Sequence, residues 1–372
     1  MTKMMWLAWI AALAPAACVF SPADLPSAPP PSGDAIAIAR AQLAGAPHLL
    51  LVTEDQGDAL DTIDLGRLEG PALGRVATRG IDGLIADAGD APRLHLAYAD
   101  LLPPLDADVP AVEVGENYPD PANAAPAPFL FPNQALPAPA LGAIEAASAE
   151  LLDYQVELCA VLGAPVATAA AVDGALQGFF LCEHHIDRAI QLRAADLDHP
   201  ERADGLTAAG RRRGYWRTGP YLYVPRDPRA FLARAELRLS VNGDVRQDAP
   251  VSAMRWSIGE IERQTLATGG APGVIVDGVP TRLYTGAALP AGLSFATGTP
   301  AGAVYRPQSE GFIDDARARY VLDAVFLTGV GFDEYLKGRY LAAERASGRY
   351  LRAGDRIEAL GTFLGRIAVT VQ

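Results

Sequence analysis

Basic charge is in short supply in this chain. Lys plus Arg number 31 against 44 Asp plus Glu, a formal net charge of -13 over 372 residues. Phosphate affinity needs a basic surface, so this balance argues against a general nucleic-acid role. Long apolar runs are also missing near the start: Trp6 to Ala14 is too short for a helix that crosses a bilayer, which takes about 20 apolar residues. No serine sits in a nucleophile-elbow context, which removes the basis for a Ser-His-Asp hydrolase, and no internal repeat appears. Cysteine is confined to Cys18, Cys159 and Cys182. The last two are expected as buried free thiols, although they could bridge in an oxidising compartment if their strands are neighbours.

What is there suits a globular protein, half apolar and 20% charged, long enough for one large domain or two ordinary ones. Lys3, the apolar run and the small residues after it fit a secretory signal peptide over residues 1–17. Cleavage after Ala14-Pro15-Ala16 would release a soluble form; cleavage before Cys18 would leave a lipid-anchored one, with the Pro-rich stretch 18–33 as tether. Residues 34–108 read as a small N-terminal α/β subdomain, with Ala35–Leu43 as a helix and His48–Val52 as a buried strand. His48 and His95 stand alone and are expected in the core or on the surface rather than as ligands.

Two stretches carry the chemistry. In Leu151–Gly163, Asp153, Gln155 and Glu157 alternate with apolar residues and would share one strand face. In Phe180–Gln191, Cys182, His184 and Ile186 fall on one face, and Glu183, His185 and Asp187 on the other. A Pro/Ala-rich segment through Pro139 is expected to lack regular structure. Ala208–Pro220 reads as a loop, in which Arg211, Arg212 and Arg213 with Tyr215 could receive an anion, or pair with Asp204 and Asp227 on the surface. Asn242-Gly243 predicts a hairpin turn, Met254–Ala267 a helix and Gly292–Pro300 a strand. Two helices are expected between Glu310 and Tyr350, where Phe332, Tyr335, Leu336 and Tyr340 form an apolar stripe, followed by a strand entered at Leu351–Glu358 and a last one near Ile367–Val371.

In order, Leu102-Pro-Pro-Leu105, Val114-Gly-Glu-Asn-Tyr118, Leu152-Asp-Tyr-Gln-Val-Glu-Leu158, Arg188-Ala-Ile-Gln191, Gly219-Pro220, Val241-Asn-Gly243, Thr297-Gly-Thr-Pro300 and Gly354-Asp-Arg-Ile-Glu358 resemble the fumarylacetoacetate hydrolase superfamily. The resemblance runs from about Leu101 to the end of the chain. It implies an α+β fold, a β-rich roll around a barrel-like sheet spanning residues 109–372 with a helical insertion near 310–350, and a homodimer. It also implies hydrolysis or cleavage of a small 2-oxo or 1,3-diketo acid through a metal-stabilised enolate. The cation would sit on three carboxylates.

Those three positions read Gln155, Glu157 and His184 here, a set that suits Zn²⁺, Fe²⁺ or Mn²⁺ better than Mg²⁺, or no metal at all. The family's Asn-Tyr-x-x-His segment reads Asn117-Tyr118-Pro119-Asp120-Pro121, without its histidine. Two family lysines fall near Asn133 and on Gly210. Tyr118, Arg188, Gln191 and Thr297 match substrate-contacting positions, and Arg211 and Tyr215 lie in the loop that could join them. His185, Glu183 and Thr297 are the candidate catalytic groups. The competing reading is an inactive member of the family that binds a small anionic ligand, its membrane contact limited to an anchor at Cys18. A structural role on the Glu310–Tyr350 helices has no motif behind it.

Overall fold

The computed structural model describes residues 25–106, 110–120, 127–196, 199, 202–272, 274–276 and 278–372. The expected signal peptide and Cys18 lie outside these residues. The last part of the expected tether is packed: Ala28 is buried, and the Pro26 carbonyl accepts from the Phe363 N–H.

The chain enters on β1 (Ala35–Leu43), β2 (Ala46–Asp55) and β3 (Ala59–Arg67), then helix α1 (Ala72–Asp87), β4 (Arg93–Ala97) and β5 (Leu101–Leu102). The helix expected over Ala35–Leu43 is therefore a strand. Its alternation of Ala and Ile has the period of two that fills both faces of a sheet, and both of its edges are paired, with β2 and with the later strand at Tyr221–Pro225. Tertiary pairing overrides the helix propensity of alanine here. The N-terminal segment consequently extends the main sheet instead of building a sheet of its own.

Next come β6 (Ala111–Gly115), β7 (Phe129–Asn133), β8 (Pro137–Ala138) and β9 (Leu141–Ile144), then the two long strands β10 (Leu152–Leu162) and β11 (Gln177–Asp187). The proline-rich segment thus contains short strands. Pro132 is tolerated because β7 ends the sheet among the described residues, with one side outside the ladder. Helices α2 (Arg188–Ala194) and α3 (Leu206–Gly210) lead to β12 (Trp216–Thr218) and β13 (Tyr221–Pro225), so the expected loop over Ala208–Pro220 is part helix and part strand.

Beyond these lie α4 (Pro228–Leu232), β14 (Glu236–Val241), β15 (Asp244–Pro250), α5 (Ile258–Ala267), β16 (Val274–Val276), β17 (Val279–Thr281) and β18 (Ser294–Ala296). Helices α6 (Glu310–Leu322) and α7 (Phe332–Ser347) and strands β19 (Arg356–Gly361) and β20 (Gly365–Val371) finish the chain. The β14–β15 turn has Asn242 at φ 55° and Gly243 at φ 86°, the paired positive angles a two-residue hairpin requires. Of the stripe on α7, Leu336 and Tyr340 are buried. No helix among the described residues is long and apolar enough to cross a membrane.

Among the described residues the main sheet runs β4-β3-β2-β1-β13-β11-β10-β18-β6-β7 and does not close into a barrel; a second sheet runs β15-β14-β19-β20-β9. Strands β10 and β11 pair antiparallel from Leu152 opposite Asp187 to Leu162 opposite Gln177. One face of the pair, with Leu158, Phe179 and Leu181, packs in a core with Leu237, Leu239 and Ile357 of the second sheet. The other, with Cys159, Val161, Phe180 and Cys182, packs with Ile36, Ile38 and Leu73. Each fully buried side chain such as Phe179 or Phe180 contributes about 1.5–3 kcal/mol, so this pair is anchored in the core on both faces. Cys159 and Cys182 sit diagonally across it, Cα atoms 5.9 Å apart, and form a disulfide rather than the free thiols expected.

Candidate active site

Beyond the disulfide, on the same face of β10–β11, the apolar floor gives way to polar groups. Gln155 lies opposite His184 and Glu157 opposite Cys182. The parallel neighbours β18 and β6 bring Glu113 into register with Ala296, itself opposite Cys159. Three strands thus aim Glu157, His184 and Glu113 at one point. His184 Nδ1 lies 3.3 Å from Glu157 Oε1, and its Nε2 lies 3.2 Å from Glu113 Oε1 and 3.2 Å from the Asn133 amide nitrogen. Trp216 packs beside the ring at 5.8 Å between centroids. The second Glu157 oxygen accepts from the Gly298 N–H at 2.8 Å. That approach requires glycine, because Gly298 is at φ 84° and a Cβ there would meet the Val114 carbonyl at 2.7 Å.

Burial shifts the protons of this cluster. It would lower the His184 pKa, but the charge of Glu113 and the hydrogen bond and charge of Glu157 outweigh it and raise the value to about 9. Burial also raises the Glu113 carboxyl to about 7, with the Glu157 charge adding to the shift and His184 opposing it.

A cavity of about 320 Å³ opens above the cluster, and Glu113, Gln155, Glu157, Tyr118, Arg188 and Gln191 are among its lining residues. Asp187 caps α2 by accepting from the Ala189 N–H at 3.1 Å, which fixes Arg188 at the first helical position. The buried Arg188 guanidinium donates from Nε to Asp153 at 2.8 Å and from Nη1 to Gln191 Oε1 at 2.8 Å, and lies over the Tyr305 ring at 5.1 Å. Asp153 is itself held by the N–H groups of Tyr154, Val304 and Tyr305. Tyr118 is buried at the wall, and its hydroxyl makes no hydrogen bond of good geometry among the described residues. Its pKa is raised, mainly by burial.

The remaining predicted site residues fall elsewhere. Thr297 lies just behind the wall, its hydroxyl donating to the Leu158 carbonyl at 2.9 Å. Glu183 and His185 are on the reverse face of β11, fully buried, with Oε1 and Nε2 2.9 Å apart, and do not line the cavity. Arg211 is exposed and Tyr215 buried, and neither reaches the cavity. Arg212 faces Asp187 at 3.9 Å instead of Asp204 or Asp227. The lone histidines are paired, His48 with Asp64 at 2.9 Å and His95 with Asp61 at 2.7 Å. Glu113 and Tyr305 are the site residues that sequence reasoning missed. The alternation Val112-Glu113-Val114 was the available signal for Glu113.

The family profile described as fumarylacetoacetate (FAA) hydrolase C-terminal matches residues 107–372. The chain belongs to the fumarylacetoacetate hydrolase family. Solved structures share the fold at low identity. A fumarylacetoacetate hydrolase from psychrophilic Exiguobacterium antarcticum aligns with a TM-score of 0.58 and 20% identity, covering 91% of this chain and 99% of its own. A 5-carboxymethyl-2-hydroxymuconate delta-isomerase from Mycobacterium smegmatis aligns with a TM-score of 0.53 and 19% identity, over 90% and 98% of the two chains. A 2-hydroxyhepta-2,4-diene-1,7-dioate isomerase from Mycobacterium marinum gives 0.51 and 19% over 90% and 98%. No curated protein sequence matches the chain significantly.

The divalent cation implied by the family resemblance does not fit the donors present. Gln155 is neutral, and an imidazole nitrogen offers a metal one in-plane lone pair. Both nitrogens of His184 point at carboxylates, and Nε2 also at an amide. Among the described residues, no group of three His, Cys, Asp or Glu side chains is arranged to hold a metal ion.

Proposed function

We propose that this protein is an enzyme of the fumarylacetoacetate hydrolase family that hydrolyses or cleaves a small 2-oxo or 1,3-diketo acid in the cavity above β10 and β11. The observation that supports this most is Arg188, a buried guanidinium on the cavity wall, braced by Asp153, Gln191 and Tyr305. A braced, planar fork in a low-dielectric wall suits a substrate carboxylate, since little side-chain freedom is lost on binding. The Tyr118 hydroxyl offers a donor to a keto oxygen, and it lines the same cavity as Arg188, so both could face charge that develops on the bound acid. Glu113, on the wall with its carboxyl near neutrality, is the group suited to move a proton. The donors around His184 do not fit a divalent cation, so this reading rests on Arg188, Tyr118 and Glu113 alone.

A second reading, a protein that binds a small organic acid without turning it over, is favoured by the Asn117–Asp120 segment, which lacks the histidine base of the family. One experiment separates the two: binding and turnover of a panel of 2-oxo and 1,3-diketo acids by the wild type and Arg188→Lys. Turnover that falls roughly 10- to 100-fold in the variant, the worth of a charge-assisted hydrogen bond of about 1.5–3 kcal/mol, supports the enzyme. Binding that weakens likewise with no turnover in either supports the binding protein, and neither binding nor turnover rejects both.

We also propose export to the periplasm or cell envelope, with Cys18 lipidated or removed with the signal peptide, and a homodimeric state. Fatty-acid labelling and light scattering test these points.

A further inference from the structure

We infer that the His184 side chain takes the place of the metal ion, bridging Glu113 and Glu157 so that the cavity accepts its acid without a divalent cation. The inference rests on the reading of this cavity as the ligand site, but not on which acid is processed. Glu157 and Glu113 come from different strands and face the same buried point, with side chains 5% and 14% exposed. Two carboxylates converging there repel unless something positive or protonated lies between them. In a metal site that is the cation. Here the imidazole lies between them, with one nitrogen toward each carboxylate at 3.3 and 3.2 Å.

The exclusion of a metal does not depend on where the proton resides. With both ring nitrogens protonated, each donates to a carboxylate. With Nε2 bare, its single lone pair accepts from the Asn133 amide, whose own oxygen is held by the Ala135 N–H at 2.7 Å, and Glu113 carries the proton instead. Neither arrangement leaves an imidazole lone pair free for a metal. Trp216 fixes the ring from one side, and the Gly298 N–H holds the second Glu157 oxygen. Gln155 follows from the same charge balance, since a third carboxylate would have no cation to face.

The test is Mn²⁺ binding, read by electron paramagnetic resonance and by elemental analysis after dialysis, for three folded proteins: wild type, His184→Ala and the double variant Gln155→Glu/His184→Asp. Wild type is expected to hold well under one equivalent and to melt at the same temperature with Mn²⁺ or a chelator, while the double variant gains about one equivalent. One equivalent in wild type that disappears in His184→Ala would overturn the inference. So would a folded double variant that still binds no Mn²⁺, because His184 would then not be what fills the place. These readouts need no substrate, so they stand apart from a failure of the acid panel.

Discussion

The two faces of β11 carry nearly the same chemistry and put it to different uses. On the front, His184 meets Glu157 and Glu113 beneath a cavity. On the back, His185 meets Glu183, with Arg217 opposite in register, and all three are buried. The difference is what surrounds each pair. The front carboxylates come from β10 and β6, on either side of β18, and reach open volume, whereas the back pair lies on one strand against the second sheet. Arg217 on that side binds the carbonyls of Pro139, Leu141 and Ala143, tying β9 to the main sheet. A histidine beside a glutamate is therefore not a site by itself; access to open volume makes it one.

The back pair should prove the costlier to break. Glu183→Ala leaves His185 and Arg217 buried without their carboxylate and should lower unfolding stability by about 3–5 kcal/mol, read by denaturant titration, with ligand affinity in the cavity unchanged. The double replacement of Glu183 and His185 by leucine should recover most of that loss. A change in cavity affinity in either variant would erase the distinction between the faces.

Next in size is the disulfide beneath the front cluster. Cys159→Ala with Cys182→Ala opens a bridge between residues 23 apart in sequence and should cost about 2–4 kcal/mol. Mass analysis of the wild type, denatured without reductant, should show no alkylation at these cysteines.

The front histidine should cost less in stability and add a pH signature. His184→Asn should lose about 1–3 kcal/mol by leaving buried carboxylates short of a donor. Because the folded pKa of His184 is raised to about 9, its contribution is fully present below the unfolded value of about 6.5 and is lost as pH rises through about 9. The gap in stability between wild type and variant should narrow over that window, and a gap that widens would contradict the bridging role. The smallest effect belongs to a third histidine–carboxylate pair, His95 with Asp61, which is exposed; His95→Ala should change stability by less than about 1 kcal/mol.

Much of this could be read along the chain because it depends on residues close in sequence. The alternation in Leu152–Leu158 placed Gln155 and Glu157 together, and the Asn242-Gly243 turn and the two helices after Glu310 were legible from local conformational demands. Errors came where partners are distant. Ala35–Leu43 is a strand because β2 and β13 pair with it, and the thiols are bridged because the β10–β11 register sets them diagonally. Tyr305, 117 residues beyond Arg188 in number, reaches it only through the fold.

By itself, the sequence determined the family, the identity of the two central strands and the face on which His184 and Glu157 lie, because strand periodicity is a local property of the backbone. Only the tertiary structure decided that Glu113 completes the cluster, that Glu183 and His185 are closed off, and that the nitrogens of His184 are taken. Those outcomes depend on which strands become neighbours, and pairing between distant segments is set by the packing of the whole core rather than by any one stretch of it.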